Sequence, residues 1–213
     1  MTLRGLYAIT SEALCREPAR LAPAVAAALR GGAVLIQYRD KWNAPAQREA
    51  LARTLLRLCR QQGARLIVND DAALAARIGA DGVHLGANDG DLRAARRLLG
   101  PDAVVGATCG DSLARARAAA DDGASYVAFG RYFPSRTKPD APPAQLETLR
   151  AAAALGLPRC AIGGLTPHNA PEVIAAGADL VAAIGGVFDA PDIETAARAY
   201  VACFTHEPTT RIP

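Results

Sequence analysis

The sequence is poor in the residues that build disulfide-linked, zinc-stapled or aromatic-rich proteins. Only 5% of its 213 residues are aromatic, and only one residue is tryptophan. The five cysteines are odd in number and have neither CxxC nor histidine-paired spacing, so we expect neither a disulfide framework nor a zinc site. We interpret all five as ordinary small apolar residues: Cys15, Cys59, Cys109, Cys160 and Cys203.

Long stretches of like charge and long apolar stretches are also missing. The net charge is only +3, and there is neither a lysine and arginine run nor a basic stripe with interleaved aromatics, so we expect no nucleic-acid partner. No apolar run approaches a membrane span, and the opening MTLRGLYAIT lacks the apolar core of a secretion signal. We therefore expect a cytoplasmic protein that does not bind membranes.

Short apolar runs alternate along the chain with stretches of helical period, such as REALARTLLRLCRQQG and DLRAARRLLG. We interpret the apolar runs as eight strands at 6–10, 33–39, 65–70, 82–86, 104–109, 126–130, 160–164 and 180–186. Most helical stretches stop at a glycine suited to a left-handed cap. These glycines are Gly31, Gly63, Gly79, Gly100, Gly123, Gly156 and Gly177.

The alternation of strands and helices predicts an α/β fold with a parallel sheet. A last helical stretch, IETAARAYVACF, completes the eighth pair, and 51% hydrophobic residues suffice for one well-covered core. We therefore predict a single (β/α)8 TIM barrel as a catalytic domain over residues 1–205, followed by a C-terminal tail at 206–213. An open, doubly wound sheet is the alternative.

The segment VLIQYRDKWN, residues 34–43, indicates where a site lies. It begins as a buried strand, yet Gln37, Arg39 and Lys41 then share one face. Because the C-terminal strand ends of such a barrel form its active face, we place these polar residues at the rim of a site. Similar residues follow other strands: Asn69, Asp70, Asp89, Thr108, Cys109, the segment FPSRTK, and the pairs Gly163–Gly164 and Gly185–Gly186.

Five strand-closing motifs follow one another along the chain: QYRDK, VNDD, DGVHLGAND, YVAFGRYFPSRTK and AIGGLTPHN. Together they span nearly the whole chain, and the sequence resembles the thiamine-phosphate synthase family. The resemblance implies a transferase of thiamine biosynthesis with small-molecule substrates. It would join 4-amino-2-methyl-5-(diphosphooxymethyl)pyrimidine to hydroxyethylthiazole phosphate with Mg²⁺ present, giving thiamine phosphate and diphosphate. The oligomeric state stays open, with a homo-oligomer as one alternative.

The resemblance also implies roles for single residues. Asp70 and Asp89 match the metal ligands, and carboxylate oxygens are ligands that Mg²⁺ prefers. The implied catalytic residues are Arg39, Lys41, Thr108 and Lys138. Expulsion of diphosphate needs fixed cations and donors where negative charge grows, which suits these residue types. The residues matched to the pyrimidine diphosphate are Gln37, Arg39, Lys41, Asn69, Thr108 and Lys138, with Gln37 nearer the ring.

A second phosphate, that of the thiazole, needs its own place. Barrels of this kind often hold a phosphate between the loops after strands 7 and 8, where glycines let backbone N–H groups approach. The segments IGGLTPHNA and IGGVF supply those loops. The candidates for this substrate are Gly163, Gly164, Ile184 and Gly185, together with Ser135 and Thr137, which match family positions.

The implied reaction needs neither a general base nor a nucleophile. The amino group of the pyrimidine can push electrons toward the methylene group as the C–O bond breaks, so we predict a dissociative mechanism through a pyrimidine carbocation. The proline-rich segment 133–143 is typical of a long loop, hinged near Gly130. Its closure would carry Lys138 onto the diphosphate and exclude water.

Some residues depart from the family pattern or have a second interpretation. Asp40 stands where Glu is usual, Thr108 where Ser is usual, and Gly185 where Ser is frequent. Asp70 has an alternative role as the cap of the helix DAALAARIG, and we interpret His84 as a hydrogen-bonded structural residue. Two other functions remain: a thiazole tautomerase-like isomerase, which would not need the cations, and a non-catalytic phosphate-sensing barrel.

Overall fold

The structure, a computed structural model, describes residues 3–86, 89–135, 137 and 140–205. Eight parallel strands form a closed barrel in which each strand pairs with the next along the chain and the eighth pairs with the first. The strands are β1 Gly5–Ile9, β2 Leu35–Tyr38, β3 Arg65–Asn69, β4 Gly82–Leu85, β5 Val104–Gly110, β6 Tyr126–Phe129, β7 Arg159–Ile162 and β8 Leu180–Ala183. The predicted (β/α)8 fold is confirmed, and the open sheet is wrong. The predicted tail at 206–213 lies outside the described residues.

Helices connect the strands on the outside of the barrel. They are α1 Glu12–Cys15, α2 Pro18–Arg30, α3 Pro45–Gln61, α4 Ala72–Ile78, α5 Leu92–Leu99, α6 Leu113–Asp121, α7 Leu146–Ala151, α8 Ala170–Ala175, α9 Gly185–Phe188 and α10 Ile193–Ala202, with a 3-10 turn at Ala152–Leu155. The predicted strand 180–186 is too long, because its glycine pair begins α9. Within the described residues, no helix is long and apolar enough to cross a membrane.

The main core lies between the strands and the helices. Alternate strand residues point outward into it, such as Leu66 and Val68 of β3, and helices add their inner stripes, such as Leu55 of α3. Each large aliphatic side chain buried in this way contributes roughly 1.5–3 kcal/mol. This layer therefore holds the barrel together and leaves the strand ends available for polar groups.

The inside of the barrel holds a second, smaller core that changes character from one end to the other. Near the N-terminal ends of the strands it includes Leu35 and Tyr126, the first residues of β2 and β6. Nearer the C-terminal ends it contains the buried polar residues Gln37 and His84. Buried polar side chains need hydrogen-bond partners, so this end of the barrel is organised by specific contacts rather than by apolar packing alone.

Glycines end most of the helical units as predicted, with one exception. Gly63, Gly79, Gly100, Gly123, Gly156 and Gly177 all have positive φ. Gly31 has a φ of −73°, and the left-handed residue is Gly32, with a φ of 96°. The prediction of a left-handed Gly31 is wrong because glycine serves another purpose there: a Cβ at position 31 would collide with Ala197 of α10.

Candidate active site

A cleft with two connected lobes opens at the C-terminal ends of the strands. One lobe, of about 300 Å³, we call the polar lobe; its lining includes Gln37, Arg39, Lys41, Asn69, Asp70, Asp89 and Thr108. The other, of about 710 Å³, we call the glycine lobe; its lining includes Gly163, Gly164, Ile184 and Gly185. The two lobes form one cleft because they share lining residues, among them Arg39, Ser135, Thr137, Gly163 and Ile184.

Lys41, Asp70 and Asp89 bring opposite charges together in the polar lobe. The Lys41 Nζ lies 2.7 Å from Asp70 Oδ2, and Asn69 Nδ2 donates to the same oxygen at 2.6 Å. The carboxyl group of Asp89 lies within hydrogen-bonding range of that of Asp70. Burial alone would raise the pKa of Asp70, but the ion pair with Lys41 and the hydrogen bond from Asn69 hold that pKa below its usual range. Asp70 is therefore ionised at neutral pH.

Asp70 reaches this position through an unusual backbone conformation. Its φ is 61°, the one positive φ of a non-glycine residue in the described parts of the chain, and its N–H donates to the His84 carbonyl at 2.9 Å. Helix α4 is capped instead by Asp71, whose side chain accepts a hydrogen bond from the Leu74 N–H at 2.7 Å. The interpretation of Asp70 as the cap is wrong, because the left-handed turn directs its carboxylate toward Lys41.

Arg39 lines both lobes and is held in place from two directions. Its guanidinium group lies over the Trp42 ring, 5.3 Å from the ring centroid, a favourable cation–π arrangement. Its backbone N–H donates to Thr10 Oγ1 at 2.9 Å, which ties the end of β2 to the end of β1. A guanidinium positioned in this way can bind two oxygens of an anion at once.

Asp40 organises the loop that carries Arg39 and Lys41, a role that sequence reasoning missed. Its buried carboxylate accepts hydrogen bonds from Tyr38 Oη at 2.6 Å and from the side chain and backbone of Asn43 at 2.8 and 3.1 Å. Burial would raise the pKa of Asp40, but these hydrogen bonds outweigh it and lower that pKa. The alternation that puts Arg39 and Lys41 on one face was the available signal, since it puts Asp40 on the other.

Gln37 and Thr108 reach the polar lobe from a network of buried hydrogen bonds. Gln37 Nε2 donates to Tyr7 Oη at 2.7 Å, and Thr108 Oγ1 lies 2.8 Å from His84 Nε2. The other ring nitrogen of His84, Nδ1, lies 2.8 Å from Tyr126 Oη, so His84 is hydrogen-bonded as expected. These hydrogen bonds fix the orientation of the Gln37 and Thr108 side chains.

The first glycine pair of the glycine lobe brings two loops close together. Gly163 and Gly164 have φ values of 102° and 63°, and a Cβ on either would collide with the segment 131–134 that follows β6. The Phe133 N–H also donates to the Gly163 carbonyl at 3.0 Å. Glycine is therefore required to seat the loop after β6, as well as to open the lobe.

Gly185, which we expected to depart from the family pattern, stands at the start of α9. A Cβ at this position would collide with the carboxylate of Asp189, which lines the glycine lobe. The absence of a side chain at position 185 therefore allows the Asp189 carboxylate to occupy its present position. A serine there would require Asp189 to move.

The loop after β6 contributes two hydroxyl groups to the cleft. Ser135 and Thr137 line both lobes, and the Thr137 N–H donates to Ser135 Oγ at 3.4 Å. Gly130, where we expected a hinge, donates its N–H to the Gly110 carbonyl at 3.1 Å, so the loop leaves the barrel from an anchored residue. The remaining predicted cation, Lys138, lies outside the described residues.

Comparison with known proteins points to one family. A family model described as thiamine monophosphate synthase matches residues 6–187. The chain is 56% identical over 202 residues to the thiamine-phosphate synthase of Chromobacterium violaceum, with 95% of this chain and 97% of that protein covered. It is 52% identical over 213 residues to the thiamine-phosphate synthase of Nitrosococcus oceani, with 100% and 96% covered.

Solved structures agree with this assignment. The thiamine phosphate pyrophosphorylase from Pyrococcus furiosus aligns with a TM-score of 0.84 and 34% identity, covering 96% of both chains. A 3-hexulose-6-phosphate synthase aligns with a TM-score of 0.65 over 93% of this chain and 99% of its own. At 20% identity, that second likeness shows the barrel fold alone.

Proposed function

The chain belongs to the thiamine monophosphate synthase family and is a transferase that forms thiamine phosphate, and we propose how its cleft carries out the reaction. The polar lobe binds the pyrimidine diphosphate, and the glycine lobe binds hydroxyethylthiazole phosphate. One observation carries the proposal: cations, carboxylates and a hydroxyl group from the ends of β2 to β5 line one lobe, which opens onto a second lobe lined by glycines.

Arg39, Lys41 and Thr108 bind the departing diphosphate. A cation 4 Å from a phosphate oxygen contributes roughly 4 kcal/mol before desolvation is subtracted, at an effective dielectric near 20. The Lys41 side chain is 49% exposed, so its ion pair with Asp70 stabilises the fold by at most about 1 kcal/mol. Lys41 can therefore exchange Asp70 for a phosphate oxygen at little cost. Lys138 supplies a second ammonium group.

Asp70 and Asp89 fit the requirements of Mg²⁺. Among the described residues, no three or more histidine, cysteine, aspartate or glutamate side chains are grouped so that they could hold a metal ion. The ion would therefore take two carboxylates and complete its shell with phosphate and water. Glycine at position 86 supports this arrangement, because a Cβ there would collide with the Asp89 carboxylate. When bound, Mg²⁺ would offset negative charge on the diphosphate.

The proposed chemistry is dissociative. Gln37 and Asn69 hold the pyrimidine side of the substrate, and the ring amino group donates electrons toward the methylene carbon as its C–O bond breaks. Both electrons of that bond leave with the diphosphate. The lone pair of the thiazole nitrogen then forms the new C–N bond. The loop that carries Ser135, Thr137 and Lys138 would exclude water, which otherwise traps the cation as an alcohol.

The thiazole phosphate is proposed to lie against backbone groups of the glycine lobe. Glycines there allow close approach of an anion to the main chain, and the hydroxyl groups on the loop after β6 add donors. The residues proposed for this contact are Gly163, Gly164, Ile184, Gly185, Ser135 and Thr137.

The proposal is tested by incubating the protein with both substrates and Mg²⁺ and measuring diphosphate and thiamine phosphate by chromatography. The two products should form in equal amounts, and a chelator should abolish synthesis. Asp70→Ala and Asp89→Ala should each reduce the rate by at least about tenfold, since neither carboxylate replaces the other. Asp102→Ala, which removes an exposed carboxylate, is the matched control.

Other outcomes would favour other functions. Full activity in the chelator would remove Mg²⁺ from the proposal. Conversion of a thiazole phosphate without any diphosphate release would favour the tautomerase-like isomerase. Phosphate binding without turnover of either substrate would favour the phosphate-sensing barrel.

A further inference from the structure

A chain of hydrogen bonds between five side chains crosses the barrel at the floor of the polar lobe. At one end Gln37 Nε2 donates to Tyr7 Oη at 2.7 Å, and the Tyr7 and Tyr126 oxygens lie 2.9 Å apart. At the other end His84 lies between Tyr126 Oη and Thr108 Oγ1, with 2.8 Å to each. Four of the five line the polar lobe, namely Gln37, Tyr7, His84 and Thr108, so the chain forms part of the floor of the lobe and connects two residues of the proposed substrate site.

The middle of this chain is shielded from water and packed in place. Tyr7 and Tyr126 are 1% and 0% exposed, and their rings meet edge-on with centroids 5.9 Å apart. The Tyr126 ring also stacks on the His84 imidazole at 5.6 Å. It fills the space that a Cβ at Gly106 would need. Burial raises the pKa of both tyrosines, so both hydroxyl groups stay protonated at neutral pH.

With the Gln37 amide nitrogen facing Tyr7, only one direction of donation leaves both tyrosine protons paired. An amide nitrogen only donates, so Tyr7 accepts from Gln37, and Tyr126 Oη is the acceptor left for the Tyr7 proton. Tyr126 then donates to His84 Nδ1, and the proton on His84 Nε2 is donated to Thr108. In the opposite direction, the buried Tyr7 proton would find no acceptor among the described residues, which costs about 1–3 kcal/mol.

We infer that Tyr7, Tyr126 and His84 are positioning residues that set how two lobe residues meet the pyrimidine diphosphate. At one end the chain engages the Gln37 nitrogen and leaves the carboxamide oxygen as an acceptor for the substrate. At the other end it occupies a lone pair of Thr108 and leaves the hydroxyl proton available to the substrate. The Thr108 end requires the ring proton of His84 to lie on Nε2.

This pattern matches the chemistry of the pyrimidine diphosphate, and the match rests on the proposed function. The ring amino group is a donor for the Gln37 oxygen, and a diphosphate oxygen is an acceptor for the Thr108 hydroxyl. The amino group is present before and after bond breaking, whereas charge on the diphosphate grows in the transition state. The Gln37 end should therefore govern KM, and the Thr108 end should govern kcat.

The state of His84 is measured by nitrogen-15 NMR of the imidazole rings in the full chain without substrates. The chain has three histidines, and His84→Gln identifies the His84 signals by their loss. The expected result is a neutral ring protonated on Nε2. A second tautomer should appear in Tyr126→Phe, where Nδ1 has lost its donor. A wild-type ring protonated on Nδ1, or on both nitrogens, would overturn the inference.

Steady-state kinetics separate positioning from a purely structural role. Tyr126→Phe and His84→Leu should lower kcat about tenfold, the scale of one hydrogen bond, with KM for the thiazole phosphate unchanged. In His84→Gln the amide nitrogen can replace the Nε2 donor, so this variant should keep a kcat close to that of the wild type. Tyr7→Phe should instead raise KM for the pyrimidine diphosphate by a similar factor.

Tyr132→Phe is the matched control, because the buried Tyr132 hydroxyl has no hydrogen-bond partner among the described residues. It should change neither kcat nor KM. Equal losses in His84→Gln and His84→Leu that follow thermal stability alone would contradict the inference. If the wild-type protein makes no thiamine phosphate, the proposed function fails, and the NMR result still decides the direction of the chain.

Discussion

Along strand β3, Leu66 and Val68 point outward into the layer beneath the helices, whereas Ile67 and Asn69 point into the barrel. The outward residues remain aliphatic over the whole strand. The inward residues change from an aliphatic side chain to an amide as the strand approaches the cleft. The same change occurs on β2, where Leu35 is followed inward by Gln37.

We infer from this difference that the outward face of the strands mainly stabilises the fold and that the inward face, near the cleft, mainly serves the reaction. Apolar burial is not directional, so the outward layer tolerates exchange among aliphatic residues of similar volume. A hydrogen-bonded interior is directional, and the loss of one group disturbs its neighbours. Outward substitutions should therefore change the free energy of unfolding, and substitutions at the cleft should change rate constants.

The largest effect is expected from an outward substitution, Leu66→Ala. Leu66 is fully buried, and its truncation leaves a cavity, so the free energy of unfolding should fall by about 2–5 kcal/mol. Urea denaturation measures this loss. Leu98→Ala, at a leucine that is 55% exposed, is the matched control and should change the free energy by less than about 0.5 kcal/mol.

The assignment of stability to the outward residues and of activity to the inward residues would be contradicted if Leu66→Ala changed activity and not stability. If folded Leu66→Ala lost turnover while its free energy of unfolding stayed at the wild-type value, the outward layer would be part of the catalytic machinery. We expect kcat and both KM values of the folded variant to remain close to those of the wild type.

Lys138→Ala should have the next largest effect, and it should be of the opposite kind. Under the proposed function Lys138 binds the diphosphate, so removal of its positive charge should lower kcat roughly 100-fold, while the free energy of unfolding hardly changes. Because a less closed loop admits water, more pyrimidine alcohol should form for each thiamine phosphate. Chromatography of both products measures this ratio.

Two further variants sharpen the test at position 138. Lys138→Arg keeps the positive charge and should retain more activity than the alanine variant. Arg57→Ala removes an exposed cation from α3 and should leave turnover unchanged. Near-normal turnover of Lys138→Ala with an unchanged product ratio would show that the loop is not a lid.

The smallest effect is expected at Asp40, which is buried like the outward layer but supports the cleft. Because its pKa is lowered in the folded protein, its carboxylate contributes stability that is present above the unfolded pKa of about 4 and is lost as the pH falls through the folded pKa. Asp40→Asn should lower the free energy of unfolding by about 1 kcal/mol at neutral pH.

Urea denaturation at several pH values checks the sign of this contribution. The difference between Asp40→Asn and the wild type should shrink as the solution is acidified through the folded pKa. A difference that is independent of pH would show that the hydrogen bonds matter through their geometry and not through the carboxylate charge.

The strands and the rim of the site were predictable because each depends on a pattern within a few consecutive residues. Every strand is a short apolar run, and the alternation of Gln37, Arg39 and Lys41 places all three on one face, where all three line the polar lobe. The glycine pair at 163–164 was likewise visible as a break in an apolar run, although its role in seating a second loop was not.

Features that depend on distant contacts were not predictable. Asp70 and Asp71 are adjacent and alike in the sequence, and only the backbone turn at the end of β3 decides which of them caps α4. Tyr7 and Tyr126 lie 119 residues apart, within runs typical of apolar strands. Their hydrogen bond exists because barrel closure brings β1 and β6 across the same interior.

The stacking of Arg39 on Trp42 gives the cleft a fluorophore of its own. Trp42 is the one tryptophan of the chain, so the protein's indole emission reports this location alone. An anion that draws the guanidinium group away from the ring changes the electric field at the indole and hence its emission. Stopped-flow fluorescence of the unlabelled protein can therefore follow the order in which the two substrates enter and the moment at which product leaves.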